Sequence, residues 1–274
     1  MKMTAFSALL CTYAKDNPLH LRQSLQSISS QTVLPNELVI VKDGPLPESL
    51  ESVISGFQFP NKLTTLALPK NIALGQARAK GLKVAKHPWV ALMDSDDICL
   101  ANRFEEQLSL ISASPMLDIV GGQILEFDDI PGKALAMRKV PPTHNEIVAR
   151  GKKSNPFNAM TVMFKKDLAL SAGNFRHFPG FEDYDLWMRM VALGAKCANS
   201  MAVLVHARIG NGMYARRKGF AYMRSEWRMQ RNLRQLGLIT TGERMRNVLT
   251  RIPIRLLPDK GLAFVYNKFA RGGA

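Results

Sequence analysis

An apolar run that ends in three carboxylates, Trp89–Asp97, constrains the fold of this chain more than any other stretch. The run begins with five mostly apolar residues that predict a buried strand, and Asp94, Asp96 and Asp97 follow them. Ionised carboxylates this close repel each other, so they need water, a cation or a raised pKa. A buried strand that carries them to its carboxyl end places them where open α/β sheets bind ligands.

The three acids allow two interpretations. Mg²⁺ prefers one or two protein carboxylates, with phosphate and water as its remaining ligands. If strand alternation persists, Asp94 and Asp96 point the same way. One of them would then bind a metal directly, and the other would act through water or a ribose hydroxyl. The alternative is an acidic turn followed by a helix cap, and a bare Asp-x-Asp does not decide between the two.

The order of elements predicts an α/β fold with a mainly parallel sheet. We expect strands at 6–12, 37–42, 63–67, 89–93, 118–127, 161–164 and 201–206. We expect helices at 18–31, 47–57, 75–86, 102–114, 165–172 and 182–193, and a polar, proline-bearing excursion at 128–142. Strands that alternate with helices of this length indicate right-handed βαβ units.

The positive charge is concentrated at the C-terminal end. The chain of 274 residues has a formal net charge of +15, and fifteen lysines and arginines follow Ala207 against three acids. Aromatic and aliphatic residues are interleaved with them, which is typical of basic amphipathic segments that lie on anionic membranes. The alternative is an arginine-rich helical face that is simply solvated.

Cysteine spacing and hydropathy restrict the compartment. The three cysteines have no metal-ligand spacing, which favours a reducing compartment over a disulfide framework. The first eleven residues lack a small-residue cleavage pattern and predict a strand instead of a signal peptide. No apolar run reaches the roughly 18 residues that span a bilayer. We expect a cytoplasmic protein, peripheral at the inner face of the cell membrane.

Several motifs, in this order along about residues 4–210, resemble the inverting family-2 glycosyltransferases. They are Thr12-Tyr13, Gln31-Thr32, Val39–Gly44, Asn71–Gly75 with Arg78 and Gly81, Met93–Asp97, and Phe175-Arg176 followed by Glu182–Arg189. The basic C-terminal part resembles the bacterial members that build exopolysaccharide, capsule or O-antigen repeats. The chain departs from the family pattern at Cys11, Ala14, Lys42 and Ala79, positions that affect details of nucleotide contact.

The resemblance implies a GT-A fold, a Rossmann-type mixed sheet flanked by helices with a basic helical C-terminal segment. The catalytic domain would cover 1–206, with a nucleotide-binding half at 1–97 and an acceptor half at 98–206, and the basic segment would cover 207–274. The implied donor is a nucleotide-diphosphate sugar, usually UDP-linked, and the implied cofactor is Mn²⁺ or Mg²⁺. The implied acceptor is a saccharide carried on polyprenyl diphosphate.

The resemblance also implies roles on the donor side. Asp96 would bind the metal directly, Asp94 would bind the ribose or a metal-bound water, and Ser95 between them would contact the nucleotide sugar. His206 is a further candidate metal ligand, with a structural role as its alternative. Asp97 is expected to cap the following helix.

Other motif residues would surround the nucleotide. Asp43 would accept a hydrogen bond from the base, and Thr12 and Tyr13 would lie against that base. Asn71 and Gly75 would shape the donor loop; for these two and for Asp43, a structural turn is the alternative. Arg78 would contact the base or the phosphates, although a lone arginine in a helix is usually at the surface. Arg208, Arg216 and Arg217 are expected in a flexible segment around Gly210–Gly212 that closes over the diphosphate, or else contacts membrane or solvent.

On the acceptor side, Asp183 matches the family's general base, and Glu182 would position the acceptor or buffer the charge. The alternative is a helix whose first turn is acidic because that suits the helix dipole.

Two rival functions remain open at this point. A sugar-phosphate nucleotidyltransferase would normally carry a Gly-rich basic loop after the first strand, and Cys11–Lys15 is not such a loop. A basic nucleic-acid-binding protein fits the charge, but no recognised nucleic-acid-binding signature accompanies it, and we expect no nucleic acid partner.

Overall fold

The computed structural model describes residues 4–128, 134–209 and 219–253. In chain order the first half contains β1 (Phe6–Thr12), α1 (Pro18–Ser29), β2 (Glu37–Lys42), α2 (Glu48–Ser55), β3 (Lys62–Ala67), α3 (Leu74–Val84), β4 (Trp89–Asp94), β5 (Ile98–Cys99) and α4 (Arg103–Ala113). The second half contains β6 (Ile119–Phe127), β7 (Ala134–Arg138), α5 (His144–Gly151), β8 (Met163–Lys165), α6 (Lys166–Ser171), α7 (Glu182–Ala192), β9 (Cys197–Arg208), α8 (Gly219–Gln235) and α9 (Thr241–Arg251).

All the described strands form one mixed sheet, in the order β3-β2-β1-β4-β8-β6-β9-β5, with β7 paired to β6. The ladders that join β1 to β2 and β4, and β2 to β3, are parallel, as the sequence predicts. β8 pairs antiparallel with both β4 and β6, and so joins the first half of the sheet to the second. The expected α/β fold is confirmed.

Alternation along the buried strands divides the core between the two faces of the sheet. On β1, Leu9 faces one core cluster, which also includes Ala77 of α3 and Trp187 of α7. Phe6 and Leu10 face the other, which is completed by residues of α1, α2 and α4. Because both faces are covered by helices, β1 and β2 are almost continuously apolar.

Several predicted bounds in the second half were wrong. The excursion at 128–142 contains strand β7, which pairs antiparallel with β6. The last strand is longer than predicted, since β9 runs from Cys197 to Arg208. Helix α5 was not predicted, although Thr143 and Glu146 form a capping box at its start.

The basic C-terminal part packs on the rest of the chain as far as it is described. Met229 and Leu233 of α8 and Ile239 after it belong to the same core cluster as α7. The Asn232 amide donates to Asp185 Oδ1 of α7 at 3.0 Å. None of the described helices is both long and apolar enough to cross a membrane.

Candidate active site

Parallel pairing brings the predicted donor residues to one edge of the sheet. Thr12 is the last residue of β1, Asp43 follows β2, and Asp94 is the last residue of β4. In register, Thr12 pairs with Lys42 and Cys11 pairs with Asp94. The three motif positions therefore lie side by side at the carboxyl ends of neighbouring strands, where α/β sheets bind ligands.

Asp16 connects two of these motifs. Its Oδ2 accepts hydrogen bonds from Thr12 Oγ1 at 2.9 Å and from Ser95 Oγ at 2.7 Å. Burial raises the pKa of Asp16, and the hydroxyl hydrogen bonds act against that rise. Both hydroxyls predicted to contact the nucleotide sugar thus orient this carboxylate. The side chain of Tyr13 is 38 % exposed at the same edge and is accessible for stacking against a base.

Asp43 and Asn71 hold the loop before α3 in a rare conformation. Asp43 Oδ1 accepts from the backbone N–H of Ile72 at 2.7 Å, and the Asn71 amide donates to the Asp43 carbonyl at 3.2 Å. Ala73, directly before α3, has a φ of 72°, in the left-handed region that disfavours residues with a Cβ. Gly44 is required here, because a Cβ on it would lie 2.7 Å from the backbone nitrogen of Asn71. Strain of this kind is typical of functional loops.

Arg78 lies between the donor-side and the acceptor-side acids. Its side chain is buried, with Nη2 at 2.5 Å from Asp94 Oδ1 and Nη1 at 4.0 Å from Glu182 Oε1. Burial alone would lower the pKa of Arg78, but the two carboxylates raise it above its ordinary value. The surface alternative for Arg78 was wrong. A single buried guanidinium joins the end of β4 to the start of α7.

Gly75 makes this close approach of α3 to α7 sterically feasible. A Cβ on Gly75 would lie 2.5 Å from the carbonyl oxygen of Arg176 and 2.8 Å from the Cβ of Glu182. Real side chains essentially never tolerate such distances. The glycine of the motif therefore serves helix packing at the site as well as the shape of the loop.

Glu182 and Asp183 are neighbours in the first turn of α7 with different partners. Burial, followed by the Asp183 charge, raises the pKa of Glu182 to about 7. Asp183 Oδ2 accepts from the side-chain amide of Asn155 at 2.9 Å, and Oδ1 accepts from the N–H of Tyr184 at 2.7 Å. Sequence analysis missed Asn155, since it lies in no motif and is 28 residues from its partner.

The predicted cap at Asp97 was wrong. Helix α4 begins at Arg103 after Asn102, so Asp97 is too far upstream to cap it. Asp97 Oδ1 instead accepts from the backbone N–H of Arg208 at 2.7 Å. Burial and the neighbouring charges of Asp96 and Asp94 raise the pKa of Asp97 well above its ordinary value.

Arg208 is also placed differently from the prediction. It is the last residue of β9 and does not lie in a flexible segment. Its Nε donates to the Asp96 carbonyl at 3.1 Å and its Nη2 to Gln23 Oε1 at 2.9 Å, while the guanidinium stacks on Phe127. Arg208 thus supports the backbone of the acidic loop. Arg216, Arg217 and the segment 210–212 lie outside the described residues.

The candidate metal ligands fit a cation that is only partly bound by protein. β4 ends at Asp94 and a turn follows, so strand alternation does not extend to Asp96. In the three described ranges, no group of three or more His, Cys, Asp or Glu side chains could hold a metal. Mg²⁺ and Mn²⁺ suit carboxylate oxygens and can take their remaining ligands from phosphate and water. Asp94 and Asp96 therefore fit a metal that arrives with a diphosphate.

His206 lies in the same region, opposite Ile98 in the β5–β9 ladder. Its ring centroid is 6.4 Å from that of Phe127. Burial lowers the pKa of His206, which favours the neutral imidazole that binds metals. Its assignment as a metal ligand stays a prediction.

Comparison with known proteins agrees with this geometry. Residues 7–169 match the model of Glycosyl transferase family 2, which is more than half of the chain. The chain belongs to this family. It is a glycosyltransferase, and the nucleotidyltransferase alternative is left without support.

Two bacterial relatives match over nearly the full length. The amylovoran biosynthesis glycosyltransferase AmsE of Erwinia amylovora is 38% identical over 270 residues, which cover 97% of this chain and 100% of the relative. A UDP-Gal:alpha-D-GlcNAc-diphosphoundecaprenol beta-1,3-galactosyltransferase of Escherichia coli is 35% identical over 97% of this chain and 96% of its own length.

The fold agrees with a solved glycosyltransferase structure. Residues 1–349 of S. aureus TarS in complex with UDP-GlcNAc superpose with a TM-score of 0.65, covering 98% of this chain and 74% of that one. The sequence identity is 15%, so this likeness concerns the fold alone. It confirms the GT-A architecture.

Proposed function

We propose that this protein transfers a sugar from a UDP-sugar to a saccharide acceptor with inversion of configuration, during synthesis of a bacterial surface polysaccharide. The observation that carries this proposal is the position of Arg78. Its guanidinium lies against Asp94 on one side and near Glu182 on the other, so the acids of the donor motif and of the acceptor motif share one site. The two motifs are 88 residues apart in the chain.

The donor is held by the carboxyl edge of the first four strands. Tyr13 and Asp43 flank the place of the base, and Asp94 and Asp96 lie where the ribose and the diphosphate would lie. Bound at these carboxylates, Mn²⁺ or Mg²⁺ would supply positive charge to the leaving diphosphate. Arg208 keeps the Asp96 backbone in position for this, through its bond to the carbonyl oxygen.

The acceptor is activated by Asp183. Inversion needs one base that takes the proton of the attacking hydroxyl, on the face opposite the leaving group. As the new bond from the acceptor oxygen to the anomeric carbon forms, the bond from that carbon to the phosphate oxygen breaks and its electron pair leaves with UDP. Asp183 keeps the proton. The Asn155 amide orients the carboxylate by donating to Oδ2.

The relatives support the finer parts of the proposal. One is named for amylovoran biosynthesis, and the other for transfer from UDP-Gal to a GlcNAc-diphosphoundecaprenol. The second makes a β-1,3 bond, and the usual UDP-hexoses are α-linked, which favours inversion. We therefore assign a polyprenyl-diphosphate saccharide as the acceptor and the cytoplasmic face of the membrane as the place of reaction.

A donor panel tests this function. UDP-galactose, UDP-glucose, UDP-GlcNAc and GDP-mannose are each offered with a synthetic, short-chain GlcNAc-diphosphate lipid, with Mn²⁺ or with a chelator. We expect transfer from one UDP-sugar, dependence on the metal, and an anomeric coupling in the product that reports inversion. Retained configuration, full activity with the chelator, or no transfer from any UDP-sugar would contradict the proposal.

A further inference from the structure

Helix α8 carries a stripe of aromatic and basic side chains on the side away from the core. We define the outer stripe as Phe220, Arg224, Trp227, Arg231 and Arg234. All five are exposed, whereas Ser225, Glu226, Met229, Gln230 and Leu233 of the same helix are buried. At about 100° per residue, the stripe lies within an arc of roughly 80° opposite the buried side.

Aromatic side chains on a solvent-facing helix surface need an explanation. Phe220 is 81% exposed and Trp227 is 46% exposed, although the other stripe positions are arginines. Exposed apolar groups continue onto α9, where Met245 and Leu249 are 54% and 66% exposed. Apolar groups gathered in this way mark a surface that binds something.

A cation–π contact connects the two helices. The guanidinium of Arg244 on α9 lies 4.7 Å from the ring centroid of Trp227 on α8. The stripe and the exposed side of α9 therefore belong to one continuous surface. Tryptophan, with its apolar ring and polar N–H, is typical of membrane interfaces.

The charge of this surface selects an anionic occupant. Residues 219–253 contain seven arginines and two glutamates. One of the glutamates, Glu226, is buried and ion-paired with Arg251, so it contributes little negative charge to the outside. Arginines interleaved with aromatics suit an anionic lipid surface, because the rings enter the interface while the cations stay at the headgroups.

The side of α8 opposite the stripe packs against the acceptor side of the site. The ring centroid of Tyr222 lies 5.0 Å from that of Phe181, the residue directly before Glu182. The same tyrosine ring packs so closely on Gly180 that a Cβ there would lie 2.8 Å from its Cε2. Further along, Asn232 binds Asp185 of α7. Helix α8 is thus fixed to the helix that carries Asp183.

We propose that the outer stripe docks the enzyme on an anionic lipid bilayer, with the acceptor end of the active site beside the membrane. The role of this orientation rests on the proposed function, because it presents Asp183 to a saccharide whose diphosphate carrier is anchored in lipid. Docking itself does not depend on the chemistry.

Vesicle binding by the full-length chain tests the proposal. The probes are vesicles of phosphatidylcholine alone and of phosphatidylglycerol alone, with partition measured by co-sedimentation. The first variant replaces three cations of the stripe (Arg224→Gln, Arg231→Gln, Arg234→Gln). We expect partition into phosphatidylglycerol to fall roughly 100-fold, since each cation near an anionic surface contributes about fivefold. The second variant (Phe220→Ser, Trp227→Ser) should lower it by about tenfold or more.

The matched control removes three exposed cations from other surfaces (Lys80→Gln, Lys83→Gln, Lys139→Gln) and should bind vesicles almost as the unaltered protein does. Thermal unfolding checks that all variants fold, and transfer to a water-soluble acceptor analogue should be unchanged in both stripe variants.

Three results would overturn the proposal: unaltered vesicle binding of the stripe variants, equal binding to both lipids, or loss of binding only on deletion after Pro253. If the unaltered protein fails to transfer sugar but binds vesicles through the stripe, the proposed function is wrong and the docking surface stands.

Discussion

The acids that follow β4 and the acids that begin α7 share one site but have different partners. On the donor side, arginine groups meet the acidic loop directly: Arg78 binds the Asp94 carboxylate, and the backbone N–H of Arg208 binds Asp97. On the acceptor side, Asp183 is held by the neutral amide of Asn155, and Glu182 Oε1 is 4.0 Å from Nη1 of Arg78.

The difference indicates a division of labour. A carboxylate held against a guanidinium would lose that ion pair if it took up a proton. A carboxylate held by an amide can take up a proton with less loss of interaction, which is what a general base must do. In the proposed mechanism, the partners of the acids, more than the acids themselves, would separate metal binding from proton transfer.

The largest expected effect comes from removing the proposed base. Asp183→Asn should lower kcat by about 1,000-fold or more, because the variant lacks the group that takes the proton of the acceptor hydroxyl. Binding of UDP, measured by calorimetry, should change little. The control is Asp167→Asn, which alters an exposed acid in α6 and should keep full activity. Normal transfer by Asp183→Asn would assign the base elsewhere.

The next effect separates the two donor-side aspartates. Asp96→Asn should lower kcat/KM by about 100-fold and abolish the stabilisation of the UDP complex by Mn²⁺, since it removes the proposed metal ligand. Asp94→Asn, in contrast, leaves the buried Arg78 without its carboxylate.

We therefore expect Asp94→Asn to lower the free energy of unfolding by about 2 kcal/mol. Urea denaturation measures the change, with Asp167→Asn, which alters an exposed acid in α6, as the control. If the two variants lose stability equally, the ion pair with Arg78 does not stabilise the fold.

Glu182 should make stability depend on pH. Its pKa in the folded protein is about 7, against an ordinary value of 4.5. Between these values the folded state keeps a proton that the unfolded chain releases, so this group's contribution to the free energy of unfolding decreases as pH rises. The loss is on the order of 3 kcal/mol between about pH 5 and about pH 8.

Glu182→Gln should remove that loss, and urea midpoints at both pH values measure it. Glu48→Gln, which changes an exposed acid in α2, should leave the pH dependence as it is. A Glu182→Gln variant with the same pH dependence as the unaltered protein would show that this carboxyl does not titrate between the two values.

The smallest effect concerns the orientation of the base. Asn155→Ala removes the donor to Asp183 Oδ2 and should lower kcat/KM by about tenfold, the usual cost of one hydrogen bond to a charged group. The loss should fall on kcat, because the amide contacts the proposed base and not the donor. Binding of UDP, measured by calorimetry, should change little. A loss that falls on UDP binding as well would indicate a purely structural role.

The first half of the chain could be predicted well because its signals are local. β1, β2 and β4 are apolar runs between turn residues, and their carboxyl ends carry the motif residues Thr12, Asp43 and Asp94. Parallel pairing then brings these residues together without further information. The structure also confirms that α7 begins at Glu182. This start could be predicted because apolar residues recur at helical spacing directly after Asp183.

The rest could not be predicted because it depends on contacts between distant segments. The residues that flank Arg78 in the sequence do not show that it is buried between Asp94 and Glu182. Those that flank Asp97 do not show its hydrogen bond with Arg208, 111 residues away. Strand β7 is short and lies at an edge, so it has little apolar alternation to recognise. Helix α5 is different: its capping box is visible in the sequence and was overlooked.

The missing side chain at Gly75 has a consequence for how such an enzyme diversifies. Because α3 and α7 touch there without any intervening atoms, neither helix can drift or enlarge its contact residues independently of the other. We therefore expect new acceptor preferences to arise in the loops that border this junction and not by repacking it. At this one point, substitutions in the first half of the chain and in the second half constrain each other.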